Sequence, residues 1–422
     1  MLYFDKREPG AVVKRIYLFT SVKLYKKVGH APFVERCFLG SKNEEMKMKL
    51  FAQWLFSARK QPHSGIKDLM TATTVVVVAL ATGIGPVKAA NKSQLSIYQH
   101  GKPVDYLPCG GVPLRTRTAV LMGGGIDVKD AYSWMIAKMT QCGDGSMGRL
   151  GNFVVIRAGG NPSYDSYINK LGAVASVVTL VVPTIETAND PAIEPYIRNA
   201  GAIWLTGGDQ GDYYNFWKGS LLERLVSEQV KNRSVPIGGT SAGMMILSEF
   251  VYTADPCTIT SLDALADPYS RCVALRRDFW RDRTPFPPLV STVTDSHFDT
   301  RDRMGRLVTF LARVINDKWT NTPNARAIGV DQETALLMEY DDKTVSSAAA
   351  PKYSYKSIVN PGVSGAAYVL SVGSGSQLVV SPGQPLTFTN VKVQKIPAVG
   401  NETGYQVNVI NGELTSTVGT IY

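Results

Sequence analysis

Five short runs of nearly continuous apolar, largely β-branched residues recur in the chain: TAVLMGGG (118–125), NFVVIRAGG (152–160), ASVVTLVVPT (175–184), AIWLTGGDQ (202–210) and SVPIGGTSAG (234–243). Each has the length of a strand and stops at Gly or Thr, the pattern of strands buried on both faces. Between them, DAYSWMIAKMT, PAIEPYIRNA and FWKGSLLERLVSEQV repeat apolar residues every three or four positions, which predicts helices. Such alternation predicts an α/β fold with a doubly wound, mostly parallel sheet, whose chemistry collects beyond the carboxyl ends of the strands.

Past residue 340 the period changes. AAYVLSVGSGSQLVVSPGQPLTFTNVKVQKI and GYQVNVINGELTSTVGTIY alternate apolar with polar residues between Gly, Pro and Asn turns, which predicts antiparallel strands. The expected organisation is an α/β domain over 91–340 and a β-rich C-terminal appendage over 341–422.

Upstream, MTATTVVVVALATGIGPVKAANKS carries an apolar run of signal-peptide length, basic residues before it (Arg59, Lys60, Lys67) and small residues after it. Residues 70–90 are therefore read as a secretory signal cleaved after Ala89 or Ala90. That implies a secreted or periplasmic protein with no stable membrane insertion after cleavage. A buried strand would be unusually long, and an anchor needs about 20 apolar residues without the Gly-Ile-Gly-Pro break. Residues 1–69 read as a doubtful leader, with Met46, Met48 or Met70 as alternative starts.

Composition is ordinary for a globular chain, 44% apolar and 19% charged over 422 residues. The net charge of +10 sits upstream of the mature region: residues 1–89 hold 15 of the 45 Lys/Arg and 6 of the 35 Asp/Glu, leaving 30 basic against 29 acidic residues. A basic stripe for nucleic acid therefore has no support in the body of the chain. Four cysteines remain after the leader, compatible with one or two disulfides or with buried thiols; Cys257 with Cys272 is the first pairing to expect. No C-x-x-C pair occurs, and no metal or cofactor is implied.

The chemistry concentrates in GGTSAG. A Ser between small residues, where a strand turns sharply into a helix, has the physics of a nucleophile elbow: Gly239 and Gly243 permit close backbone approach, and Ser241 is lifted clear of the sheet. The Ala242 N–H then serves as one oxyanion donor. The same spelling also fits a plain tight turn or a phosphate-binding helix start. A Ser nucleophile needs a base: His30 and His63 fall in the leader, His100 sits about ten residues past the expected cleavage point, and His297 remains, after an apolar run and before an amphipathic helix.

LTGGDQ, GGTSAG, TDSHFDTRDRMGRL and IGVDQETALL, in that order over roughly residues 115–340, resemble the cyanophycinases. These are serine peptidases on the class I glutamine-amidotransferase-like fold, a flavodoxin-like architecture. The leader and tail resemble the extracellular branch of that family. The resemblance implies hydrolysis of cyanophycin, a poly-aspartate with arginine on each β-carboxyl, to β-Asp-Arg dipeptides. It implies Ser241 as nucleophile, His297 as base, Gly208 as second oxyanion donor, and Gln210, Asp295, Arg301, Arg303 and Arg306 at the substrate. Guanidinium forks suit a substrate rich in carboxylates; a solvated helix face is the plainer reading of Arg303 and Arg306.

Two positions depart from the family pattern. Ser296 stands where Gln is usual, a shorter side chain at the substrate. GVDQE stands where the family has G-[IV]-D-E, so the position that orients the His is Gln332. An amide oxygen holds the tautomer, as Asn does in papain-like proteases, but carries no charge. Glu333 or Asp331 substitutes through a small backbone shift, or the enzyme is slow, or activity is lost. The open functions are a cyanophycin peptidase, a peptidase for other β-aspartyl or Asp/Arg-containing peptides, and a catalytically impaired polymer-binding homologue, with a homodimer as an open option.

Overall fold

The computed structural model describes residues 94–106, 108–341 and 353–422, together with two short antiparallel strands, Tyr25–Val28 and Ala31–Val34. The chain divides into two compact units, Met1–Pro86 and Val87–Tyr422. The signal assigned to 70–90 lies outside the described residues.

In the second unit the principal strands are β1 (Ser96–Gly101), β2 (Arg117–Met122), β3 (Asn152–Arg157), β4 (Ser176–Val181), β5 (Ala200–Leu205), β6 (Ile237–Thr240), β7 (Thr292–Asp295), β8 (Arg326–Val330), β9 (Thr334–Tyr340), β10 (Tyr353–Val359), β11 (Ala366–Val372), β12 (Thr387–Pro397), β13 (Thr403–Ile410) and β14 (Glu413–Ser416). The main sheet runs β10-β9-β2-β6-β5-β3-β4-β1. Its five central strands, β2, β6, β5, β3 and β4, are parallel, with β1, β9 and β10 antiparallel at the flanks. These five are the apolar runs of the sequence, and alternate residues feed opposite faces. Ala119, Leu121, Val154 and Ile156 enter one buried layer, and Val120, Met122, Phe153 and Val155 the other. Burial on both faces is why they read as continuous rather than alternating.

A second sheet runs β7-β8-β11-β12-β13-β14, with β7 and β8 parallel and the rest antiparallel. The chain passes from β8 in one sheet to β9 in the other through Asp331, Gln332 and Glu333. Helices pack on both faces of the main sheet, among them α1 (Lys129–Lys138), α2 (Gln210–Trp217), α3 (Leu221–Arg233) and α4 (Ala242–Met245), while α5 (Met304–Asn316) packs on β7 and β8 of the second sheet. FWKGSLLERLVSEQV is two helices, not one: Gly219 adopts φ +68, and the Ser220 hydroxyl accepts from Glu223 N to cap α3. Cys109 pairs with Cys142 and Cys257 with Cys272.

Candidate active site

Ser241 stands between β6 and α4 with φ 53 and ψ −119, a conformation that costs roughly 1–3 kcal/mol for a residue with a side chain. The surroundings impose it. Ser241 N donates to Met122 O on β2 at 2.9 Å. A Cβ on Gly239 would lie 2.4 Å from the Gly243 carbonyl carbon, and one on Gly243 2.1 Å from Leu205 O, so only glycines let the turn fold this tightly. The Gly207 backbone lies alongside, where a Cβ would sit 3.4 Å from Ser241 Cβ.

His297 follows β7, and its Nε2 is 3.0 Å from Ser241 Oγ. Its φ is 46, and its N–H donates to Gly123 O at 2.7 Å, which ties the two sheets together at the site. On the other side of the ring, Nδ1 is 3.0 Å from Gln332 Oε1. Thr300 Oγ1 donates to the same oxygen at 3.1 Å. With an acceptor at Nδ1 the proton resides there, and Nε2 offers its lone pair to Ser241. Burial holds His297 below its ordinary pKa, opposed by the Gln332 hydrogen bond and helped by Arg301 and Arg303. The neutral ring is therefore the form at pH 7.

The glycine loop at the end of the apolar run 118–125 completes the site. A Cβ on Gly124, at φ +99, would lie 2.4 Å from His297 Nε2, and one on Gly125 2.5 Å from Gln332 Cγ. Gly123 leaves room for the Asp331 carbonyl, 1.9 Å from where its Cβ would be. Three consecutive glycines after an apolar strand were the available signal.

Neither acidic neighbour replaces Gln332. Asp331 is buried and accepts from Ala366 N and the Tyr368 hydroxyl through Oδ2. Glu333, at φ 56, engages Gly124 O through its backbone N–H. It is the Gln332 amide that meets His297.

The residues expected at the substrate divide. Arg301 and Gly208 are exposed and Gln210 is half-buried at the start of α2. Asp295, Ser296, Arg303 and Arg306 are buried and engage one another. Asp295 is fully buried; Arg306 Nε and Nη2 each reach it at 2.6 Å, and Arg303 Nη1 at 3.1 Å. Arg303 Nη1 also donates to Ser296 O at 2.6 Å, and Arg306 Nη1 to Ile259 O at 3.1 Å. Ser296 Oγ contacts Met245 Sδ at 3.4 Å. These side chains form an inward ion cluster beneath His297, because a carboxylate without solvent needs partners. Burial pulls Arg303 down to about 10, still charged at pH 7. Among the described residues no group of three or more His, Cys, Asp or Glu could hold a metal ion.

A serine on a strained strand-to-helix turn, facing a neutral histidine at the carboxyl edge of a parallel sheet, is the arrangement of a serine-type peptidase, and the likenesses to known proteins fall in that class. Residues 156–266 match the model of peptidase family S51. The cyanophycinase of Geminocystis herdmanii is 23% identical over 279 residues, 65% of this chain and 84% of that protein. The cyanophycinase of a Nostoc species is 23% identical over 234 residues, 54% and 70%. A peptidase of an acI-B1 actinobacterium superposes with a TM-score of 0.40 at 14% identity, covering 72% of this chain and 98% of its own. The chain is thus similar to the S51 peptidases over residues 156–266 and, over a longer stretch, to cyanophycinases.

Proposed function

We propose that the protein is an exported peptidase that hydrolyses cyanophycin to β-Asp-Arg dipeptides. The observation that carries the reading is the run Ser241 Oγ, His297 Nε2 and Nδ1, Gln332 Oε1, with both contacts at 3.0 Å. Ser241 attacks the backbone carbonyl while His297 takes its proton; the N–H groups of Ala242 and Gly208 hold the oxyanion. His297 then protonates the leaving amine, and water resolves the acyl-enzyme by the same steps in reverse. Gln210 and exposed Arg301 remain as substrate contacts. Two disulfides support an oxidising compartment, in keeping with a signal at 70–90.

A second reading, an impaired polymer-binding homologue, is favoured only by the uncharged Gln332. Release of β-Asp-Arg from insoluble cyanophycin by the chain from Asn91 separates the two: the peptidase reading expects release that Ser241→Ala abolishes. Release from other β-aspartyl peptides alone would move the substrate, and binding without release by wild type or Gln332→Glu would favour the second reading.

A further inference from the structure

We propose that Asp331 is a positioning residue: its carboxyl ties the Gln332 turn to β11, so that the β-rich region sets the aim of Gln332 on His297. This rests on the peptidase reading for its catalytic consequence. Asp331 is 4% exposed; Oδ2 accepts from Ala366 N at 2.9 Å and from the Tyr368 hydroxyl at 3.2 Å, while Oδ1 meets no donor among the described residues. Its backbone N–H returns to Ala366 O at 3.1 Å, so residue 331 is gripped on both sides by β11.

The same strand supports the histidine. The Tyr368 ring lies 5.1 Å from that of Phe298, the residue after His297. Tyr422 closes the group, with its ring 5.8 Å from Phe298 and 6.1 Å from Tyr368. Its hydroxyl accepts from Met304 N at the start of α5 and donates to Asp302 Oδ1, each at 2.9 Å. Both loops that aim the imidazole, 297–303 and 331–333, thus rest on one aromatic cluster.

The titratable groups that face Asp331 are Asp299 from the loop after His297, Tyr368 on β11, Lys395 on β12, Tyr405 on β13, and Tyr422. Asp299 also accepts from Gln332 N at 2.9 Å, so a second carboxylate lies on the far side of the turn. Burial first, then Asp299, pushes the Asp331 carboxyl up to about 7, against the pull of Ala366 N, Tyr368 and Lys395. A folded pKa above the unfolded value means that the contribution to stability is fully present below about pH 4 and is lost as pH rises from there through 7. With no donor at Oδ1, ionisation there loosens the turn that holds Gln332.

The test follows pH in two readouts for wild type, Asp331→Asn and Tyr368→Phe: the melting temperature, and the rate at which a serine-directed phosphonate labels Ser241. Wild type is expected to lose this contribution to the melting temperature between about pH 4 and 7 and to level off above that, and above pH 7 to lose labelling by about tenfold per pH unit as the neutral carboxyl is depleted. Asp331→Asn, neutral at every pH, abolishes both falls. Tyr368→Phe removes a donor to the carboxylate and moves both falls to higher pH, which keeps the test alive if the Asn variant does not fold. Falls that persist unchanged in Asp331→Asn, or that stay in place in Tyr368→Phe, overturn the proposal. Wild-type Ser241 unlabelled at every pH sinks the peptidase reading instead, and the melting temperatures still judge Asp331.

Discussion

Gln332 Oε1 sits 3.0 Å from His297 Nδ1, close enough to hold the ring and its tautomer. What it cannot supply is charge when the imidazole takes the Ser241 proton, and Arg301 and Arg303 act against that proton. Loss of a triad carboxylate can cost ~10⁴ in kcat, so Gln332→Glu is expected to raise kcat by at least about tenfold. It should also shift the acid limb of the pH–rate profile upward, since a carboxylate favours the imidazolium; steady-state rates from pH 5 to 8 measure both. Asp295 gives the opposite kind of prediction. Asp295→Asn leaves two buried guanidiniums uncompensated and should cost about 3–5 kcal/mol in denaturant unfolding, with poor expression. A raised KM with unchanged stability would restore the substrate role that the motif suggested. Sequence alone does not separate the two roles, because an Arg beside a buried Asp reads the same as an Arg beside a substrate.

Among the elements, continuous β-branched runs made the five parallel strands legible, and Ser241 and His297 were both found at carboxyl ends. The Gly123–Gly125 loop was not, since its function lies in what a side chain would strike and not in any group it bears. Gly124→Ala places a methyl against the His297 ring in a left-handed backbone. It should lower kcat by about 10² or more, because misplacement of about 1 Å costs that much. Single-turnover rates set beside a thermal melt would separate lost aim from lost fold. The broken helix at Gly219 was likewise hidden by an apolar period that runs through both halves.

Across the whole second unit, alternation announced strands after residue 340 but not their partners. The pairing of β11 with β8 is set by packing between distant segments, and it brings Tyr368 under the turn that bears Gln332. The disulfides close loops of 33 and 15 residues, each contributing about 3–4 kcal/mol on the chain-entropy account. Reduction without denaturant should therefore lower the melting temperature by several degrees. An unchanged melt would show that the core alone carries the fold.

The most direct measurement is mass spectrometry of the intact protein after a serine-directed phosphonate, with and without cyanophycin as competitor. The account predicts one adduct per chain, on Ser241, absent from Ser241→Ala and His297→Ala and slowed by the polymer. A folded wild type that takes no adduct, or takes it on another serine, would contradict the Ser241–His297 site itself.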